Sequence, residues 1–242
     1  MSSFLHPGLG FTPNLFDNNT IYSGLLLAHN FNGANPNIKN PTVGNLVLTK
    51  AGTGNDLLIV PGFNGNAIRG SNSAALSASP ATGLNTLKLY SFSVRVNFNS
   101  TQPSNAFIAS IWEWQLGRRQ MFLRADNGQL DLNLGDANGN YQVSRSVFLT
   151  HPVDSEWHLI EARVSESRIS IALDGGQFTS INLSGETNNN PNTGLYIGAL
   201  ASQPNAISPN TSFQQDIDNF YFWNRDLTDK ERPFLLNVLE LE

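Results

Sequence analysis

The feature that most constrains this chain is the run of alternating residues in its C-terminal third. From Trp157 to Val164, the residues Trp157, Leu159, Glu161 and Arg163 fall on one side and His158, Ile160, Ala162 and Val164 on the other. A period of two predicts a strand with two unlike faces. Ser167 to Leu173 repeats the pattern, and Asp174-Gly175 supplies turn residues that tolerate positive φ before Phe178 to Leu183 resumes it, so this region reads as a meander of hairpins. The last run spans Phe213 to Trp223. Strict alternation puts Phe213, Gln215, Ile217, Asn219, Tyr221 and Trp223 on one side, and Gln214, Asp216, Asp218, Phe220 and Phe222 on the other. Its C-terminal half is apolar on both sides, as a central strand of a sandwich should be.

Upstream, a first strand is expected over Gly24 to Phe31, and further strands near 45–50, 57–60, 67–70, 74–78, 88–98, 106–114, 119–125, 128–134 and 141–149. Clusters of Gly, Asn, Asp, Ser and Pro separate them. With no long helical pattern between them, a parallel α/β sheet is excluded. The expected fold is all-β, a two-sheet antiparallel jelly-roll β-sandwich with a short C-terminal helix. For that helix, Thr228 and Glu231 are spaced as a capping box, and Phe234, Leu235, Val238 and Leu239 form an apolar stripe. Pro233 limits where the helix begins, because past the first turn it removes a donor.

These pieces, in this order, carry a resemblance. Glu156-Trp157-His158, Leu173-Asp174-Gly175, Tyr196-Ile197-Gly198 and Ile217-Asp218-Asn219-Phe220 resemble the laminin-G-like, concanavalin A-like lectin/glucanase jelly-roll family. Gly62-Phe63-Asn64-Gly65-Asn66-Ala67-Ile68 is similar to its Gly-x-x-Gly-x-Ala-aliphatic segment, and Phe92-Ser93-Val94 to its Phe-Ser-Val strand. The resemblance runs from about Gly24 to Leu239 and gives an expected division into an N-terminal docking arm, 1–22, and a jelly-roll domain, 23–242. It implies a fold and leaves the ligand open.

Composition narrows the partners. A net charge of −5 with 14 Lys plus Arg argues against nucleic acid, which needs concentrated positive charge. The absence of cysteine excludes disulfides and thiolate metal sites. No apolar run approaches the ~20 residues of a membrane span, and no charged leader precedes the first Lys, Lys39. Charged residues make up 14% of the chain, so Asn, Ser, Thr, Gln and Gly must cover much of the surface, which suits sugar contact or packing in an assembly. The arm is rich in apolar groups without a period, namely Phe4, Leu5, Leu9, Phe11, Leu15 and Phe16. Such groups either wrap the chain's own sandwich or dock on a partner.

Catalysis has little support. The resembling family's glycan hydrolases carry two carboxylates on one strand, and alternation would point such a cluster into the cleft. Here Glu113 stands alone between Trp112 and Trp114, Glu161 and Glu166 bracket a turn, and Asp216 with Asp218 lacks a third partner. No nucleophile elbow or phosphate loop is present, and His6, His29, His151 and His158 lack metal-cluster spacing. The chain reads as non-enzymatic.

Two binding features remain. The resemblance implies that Asp218 joins loop carbonyls around a structural calcium, the sole cofactor expected; the alternative is a hydrogen bond from a loop amide. Trp112 and Trp114, placed on one face of their strand, with Arg118, Arg119 and Phe122 following, could stack on sugar rings or form an interface. The leading expectation is a virion structural protein, a bacteriophage capsid decoration or tail-associated subunit made in the host cytoplasm and joined to capsid, tail or identical subunits. The alternative is a carbohydrate-binding lectin module for receptor or glycan recognition, with no nucleic acid or membrane as partner in either case.

Overall fold

The structure, a computed structural model, describes residues 19–55, 57–70, 73–99 and 105–236. The alternating runs pair into two antiparallel sheets stacked as a jelly-roll β-sandwich. One sheet has eight strands. It runs from the edge strand Thr179–Asn182 through Arg168–Leu173, Trp157–Val164, Tyr90–Asn97 and Asp216–Trp223 to Asn66–Arg69 and Leu58–Pro61, and Leu25–His29 flanks the second half of Asp216–Trp223. The other has ten strands. It runs from Ser146–Thr150 through Gln129–Leu134, Arg118–Asp126, Ala106–Glu113, Leu195–Ile197, Ala74–Ala78 and Leu48–Gly52 to Ile38–Lys39, with the small hairpin Ala201–Gln203 and Ala206–Ile207 beside the end of Ala106–Glu113.

Phe92, Val94, Val96, Ile160, Ile217, Phe220 and Phe222 from the first sheet meet Ile108, Ile111, Met121, Leu123, Leu130 and Leu132 from the second in one buried core. A separate cluster forms where Ile21, Leu159, Tyr221, Trp223, Leu227 and Leu235 pack together. It explains why Phe220 to Trp223 is apolar throughout: odd and even positions enter different cores.

Strict alternation along that strand fails at one place. The pairing with Tyr90–Asn97 slips between Asp218 and Tyr221, and Asn219 takes a positive φ of 48°. A bulge inserts one residue and reverses the phase beyond it. Ile217 therefore shares the main core with Phe220 and Phe222, whereas Tyr221 and Trp223 turn to the second cluster, contrary to the sides that alternation assigned.

Other boundaries shift for local reasons. The strand expected over 141–149 is Ser146–Thr150, preceded by a 3-10 turn at Val143–Arg145. Buried Arg145 pins this turn by donating to Leu134 O, Ser184 O and Thr187 Oγ1. The hairpin at Asp174-Gly175 has positive φ at both residues, 50° and 71°, as foreseen. The terminal helix, Arg232–Leu236, has Pro233 in its first turn, where its missing N–H costs nothing. Just ahead of it, Glu231 closes the turn that begins at Thr228 by accepting from Thr228 N at 2.7 Å and Thr228 Oγ1 at 2.8 Å. Val238 and Leu239 lie outside the described residues.

The apolar groups assigned to the arm, Phe4, Leu5, Leu9, Phe11, Leu15 and Phe16, also lie outside the described residues. A boundary at residue 22 would cut through structure that belongs to the sandwich. Asn19–Tyr22 is a helical turn, Ile21 is buried in the second cluster, and Trp223 Nε1 donates to Ile21 O at 2.7 Å.

Candidate functional site

The ten-stranded sheet carries an aromatic cleft built from two of its strands, a 3-10 turn and two loops. Ala106–Glu113 contributes Phe107 and Trp112, and Arg118–Asp126 contributes Arg119, Phe122 and Arg124. Trp114, Tyr141 and Leu200 close the sides of a cavity of about 260 Å³. Phe107, Trp112 and Phe122 form a buried cluster separate from the main core. That separation follows from the pairing: Phe122 sits opposite Ser110 and Asn133, on the face away from Met121 and Leu123.

Phe122 is the centre of the cleft. Its ring meets Phe107 at 5.1 Å and Trp112 at 5.1 Å, both edge-on, and Tyr141 stacks on it at 5.9 Å with an interplanar angle of 20°. Trp112 and Phe122 are almost wholly buried, while Trp114 is 47% and Tyr141 40% exposed. The cleft thus has a fixed aromatic floor and two accessible aromatic walls. Trp114 reaches its wall from a 3-10 turn, Trp114–Leu116, rather than from the strand itself.

Arginines frame these rings. The Arg124 guanidinium lies 5.3 Å from the Phe122 centroid and 5.7 Å from that of Tyr141. It is held by Asp131 Oδ2, at 2.9 Å from Nε, and by Asn105 Oδ1. Burial raises the Asp131 carboxyl above the usual carboxylate range, against the pull of Arg124 and Ser146. Arg119 lies 5.9 Å from the Trp112 centroid and donates to Trp114 O and, at 2.6 Å, to Gly139 O. Gly139 is required there, because a Cβ would stand 2.4 Å from Gly117 O.

The loop before Leu195 completes the support. Asn188 Oδ1 accepts from Arg119 N at 3.1 Å, and Asn188 Nδ2 donates to Ala137 O at 3.2 Å. Of the five residues singled out from sequence, Trp112, Trp114, Arg119 and Phe122 meet in the cleft. Arg118 does not. It turns to Glu113 Oε2 at 3.4 Å, in a salt bridge, and to Asn192 O at 3.3 Å. Phe107, Tyr141 and Leu200 carry no local sequence signal for the cleft; Arg124 does, since it alternates with Phe122 along the strand.

The acidic residues are otherwise engaged. Glu113 is buried, its Oε1 accepting from Tyr196 Oη at 2.8 Å and Gly194 N at 3.1 Å. Asp216 forms a two-point pair with Arg69, at 2.5 and 2.9 Å. Asp218 accepts instead from the amides of Phe63 at 2.9 Å and Asn219 at 2.7 Å, with Asn64 at 3.4 Å. Asp216 and Asp218 therefore do not converge on a common point.

The surroundings of Asp218 do not fit calcium. The 62–65 loop turns N–H groups toward the carboxylate where a hard cation would need carbonyl oxygens. Arg95 stacks 3.7 Å from the Phe63 centroid and adds positive charge nearby. Burial pushes Asp218 up to about 7, against the opposing pull of these amides and Arg95. Among the described residues, no group of three or more His, Asp or Glu could hold a metal ion, and no helix is long and apolar enough to cross a membrane.

A family model described as the concanavalin A-like lectin/glucanases superfamily matches residues 69–231. No curated protein matches the chain. Among solved structures, the binding domain of botulinum neurotoxin DC in complex with SialylT is 15% identical with a TM-score of 0.65, covering 92% of this chain and 52% of that one. The botulinum neurotoxin type G receptor binding domain is 13% identical with a TM-score of 0.62, over 88% of this chain and 51% of that one. Domain 4 of AbnA, a GH43 extracellular arabinanase from Geobacillus stearothermophilus, in complex with arabinotriose, is 14% identical with a TM-score of 0.62, over 86% of this chain and 96% of that domain. The chain spans about half the length of the toxin domains and nearly all of the arabinanase domain. At these identities the likeness is one of fold.

Proposed function

The chain belongs to the concanavalin A-like lectin/glucanase superfamily, and from that premise we propose that it is a non-enzymatic carbohydrate-binding module whose site is the Trp112/Phe122 cleft. The observation that carries this reading is the accessible pair Trp114 and Tyr141 standing over a buried aromatic floor. Sugar rings present C–H faces that pack on aromatic rings and hydroxyl edges that need hydrogen bonds. The cleft offers both, with Trp114 and Tyr141 for the faces and the Arg119 and Arg124 guanidiniums beside them for the hydroxyls. Both arginines are already fixed by other partners, so little side-chain freedom is lost on binding.

Two neighbours strengthen the sugar reading over a virion role. The arabinanase domain is described with arabinotriose and the type G toxin domain as receptor-binding, whereas no feature of the cleft calls for a capsid or tail partner. The carboxylates Glu113, Asp216 and Asp218 are each satisfied within the fold, which supports binding without cleavage.

A glycan array followed by calorimetry, with arabino-oligosaccharides and sialylated glycans included, tests the proposal. The expected result is selective binding that weakens about tenfold or more, roughly 1.4 kcal/mol, in Trp114→Ala and Tyr141→Ala. Absence of binding across the array, or binding indifferent to both substitutions, overturns it.

A further inference from the structure

At the end of the sandwich where the chain crosses from the eight-stranded to the ten-stranded sheet lies a second cavity, of about 190 Å³. Leu87, Tyr90 and Val164 line it together with Glu186, Thr187 and Asn189. Tyr90 opens the strand Tyr90–Asn97 directly opposite Val164, so the two side chains are fixed by the sheet. Its ring is 1% exposed and stacks on Phe222 at 5.0 Å. Yet the Tyr90 hydroxyl, though buried, has no hydrogen-bond partner, and neither has the buried Oδ1 of Asn189, a second residue of the lining. Buried polar atoms are costly when unpaired, so two such atoms on the lining of one cavity mark a place for a hydrogen-bonding occupant.

The walls are held independently of any occupant. Thr187 Oγ1 accepts from Arg145, Thr187 pairs with Asp136 in an isolated bridge, and Asn188 is tied to Arg119 and Ala137. The chemistry of the occupant follows from the lining. Asn189 Oδ1 accepts, the Tyr90 hydroxyl can do either, and Leu87 and Val164 give an apolar side. Lys88 is paired to Glu166 at 2.7 Å while Glu186 lies close by, so the rim carries a net negative charge that disfavours anions.

We propose that this cavity is a second saccharide site, taking one neutral sugar ring whose hydroxyls bond to Tyr90 Oη and Asn189 Oδ1 while a C–H face lies against Leu87 and Val164. It rests on the sugar-binding reading for the class of ligand alone; its residues are separate from those of the aromatic cleft.

The test is shift mapping by NMR on the full chain, titrated separately with D-glucose, D-galactose and L-arabinose, in wild type, Tyr90→Phe, Asn189→Ala and Trp114→Ala. At least one sugar should move the signals of residues 88–90 and 186–189. These shifts should survive Trp114→Ala, and binding should weaken about 2- to 10-fold in Tyr90→Phe, the loss of one neutral hydrogen bond. Without sugar, Tyr90→Phe should melt no lower than wild type, because it deletes a group that has no partner. No shift at these residues with any of the three sugars overturns the proposal, and so do shifts that are unchanged in both Tyr90→Phe and Asn189→Ala. Shifts confined to the aromatic cleft would uphold the first site and refute this one. Should Tyr90→Phe fold poorly, Asn189→Ala gives the same reading at a half-exposed loop position.

Discussion

Replacing Glu113 with alanine should unfold this domain more readily than any substitution in the cleft walls. The carboxylate is fully buried and gathers Tyr196 Oη at 2.8 Å, Gly194 N at 3.1 Å, Ser79 Oγ at 3.4 Å and Arg118 Nη1 at 3.4 Å. The two short bonds come from buried donors, and hydrogen bonds to a charged group contribute about 1.5–3 kcal/mol each. Relief from desolvating the carboxylate offsets part of that sum, leaving an expected loss of about 3–5 kcal/mol. For a chain of this size that lowers the melting temperature by about 6–20 °C. Glu113→Gln keeps an acceptor oxygen and gives up chiefly the pair with Arg118, whose side chain is 27% exposed, so it should cost about 1 kcal/mol or less. Urea unfolding followed by tryptophan fluorescence measures both, and combining Glu113→Ala with Tyr196→Phe should show a coupling of about 0.5–3 kcal/mol. An alanine variant within about 1 kcal/mol of wild type, or a glutamine variant as damaged as alanine, would refute the account of Glu113 as a structural hub.

Three further outcomes are expected. Stability should fall as pH rises. Asp218 is raised by burial to about 7, and His158 lies above its ordinary value because bonds to Asp174 and Asp154 outweigh the lowering by burial. Both groups hold their proton more tightly when folded, so each contribution is complete below the unfolded pKa and is lost through the folded one. Buried His29, lowered to about 4, and His151, also lowered by burial, act in the opposite sense below about pH 6.5. A melt series from about pH 6.5 to about pH 8 should therefore slope downward, and the slope should shrink in Asp218→Asn; an identical slope in that variant contradicts the assignment. Chelator should leave the melting temperature unchanged, since amides occupy the Asp218 carboxylate; a clear drop would restore a calcium site. Truncation after Tyr22 should cost about 2–5 kcal/mol more than truncation after Asn18, because it removes the buried Ile21 side chain; equal stabilities would show that Ile21 contributes nothing.

Much of the fold could be read from local pattern. The Trp157 to Leu183 hairpins follow from alternation and from Asp174-Gly175, because both signals lie within a few adjacent residues. The phase of the last strand could not be read, since Asn219 is an ordinary polar residue in a strand until its neighbours force a bulge. The cleft was half visible: Trp112, Trp114, Arg119 and Phe122 are neighbours in sequence. Tyr141 and Leu200 arrive from loops whose course depends on long-range contacts such as Arg145 with Ser184. Arg118 was misplaced because the chain leaves a 3-10 turn just before it, and the next residue, Arg119, takes the cleft side. The Tyr90 cavity had no sequence signature, as an unpaired hydroxyl exists only relative to the three-dimensional surroundings.

The crossing segment before Leu195 has a consequence for how this molecule can change. Asn188 braces the arginine beside the aromatic cleft, and its immediate neighbour Asn189 lines the end cavity. Two recesses on separate parts of the sandwich thus share adjoining links of one tether, and lengthening or shortening it to suit one ligand would move the border of the other. Variation in both specificities is expected to arrive together, through changes in this short stretch, while the rest of the two-sheet frame stays as it is.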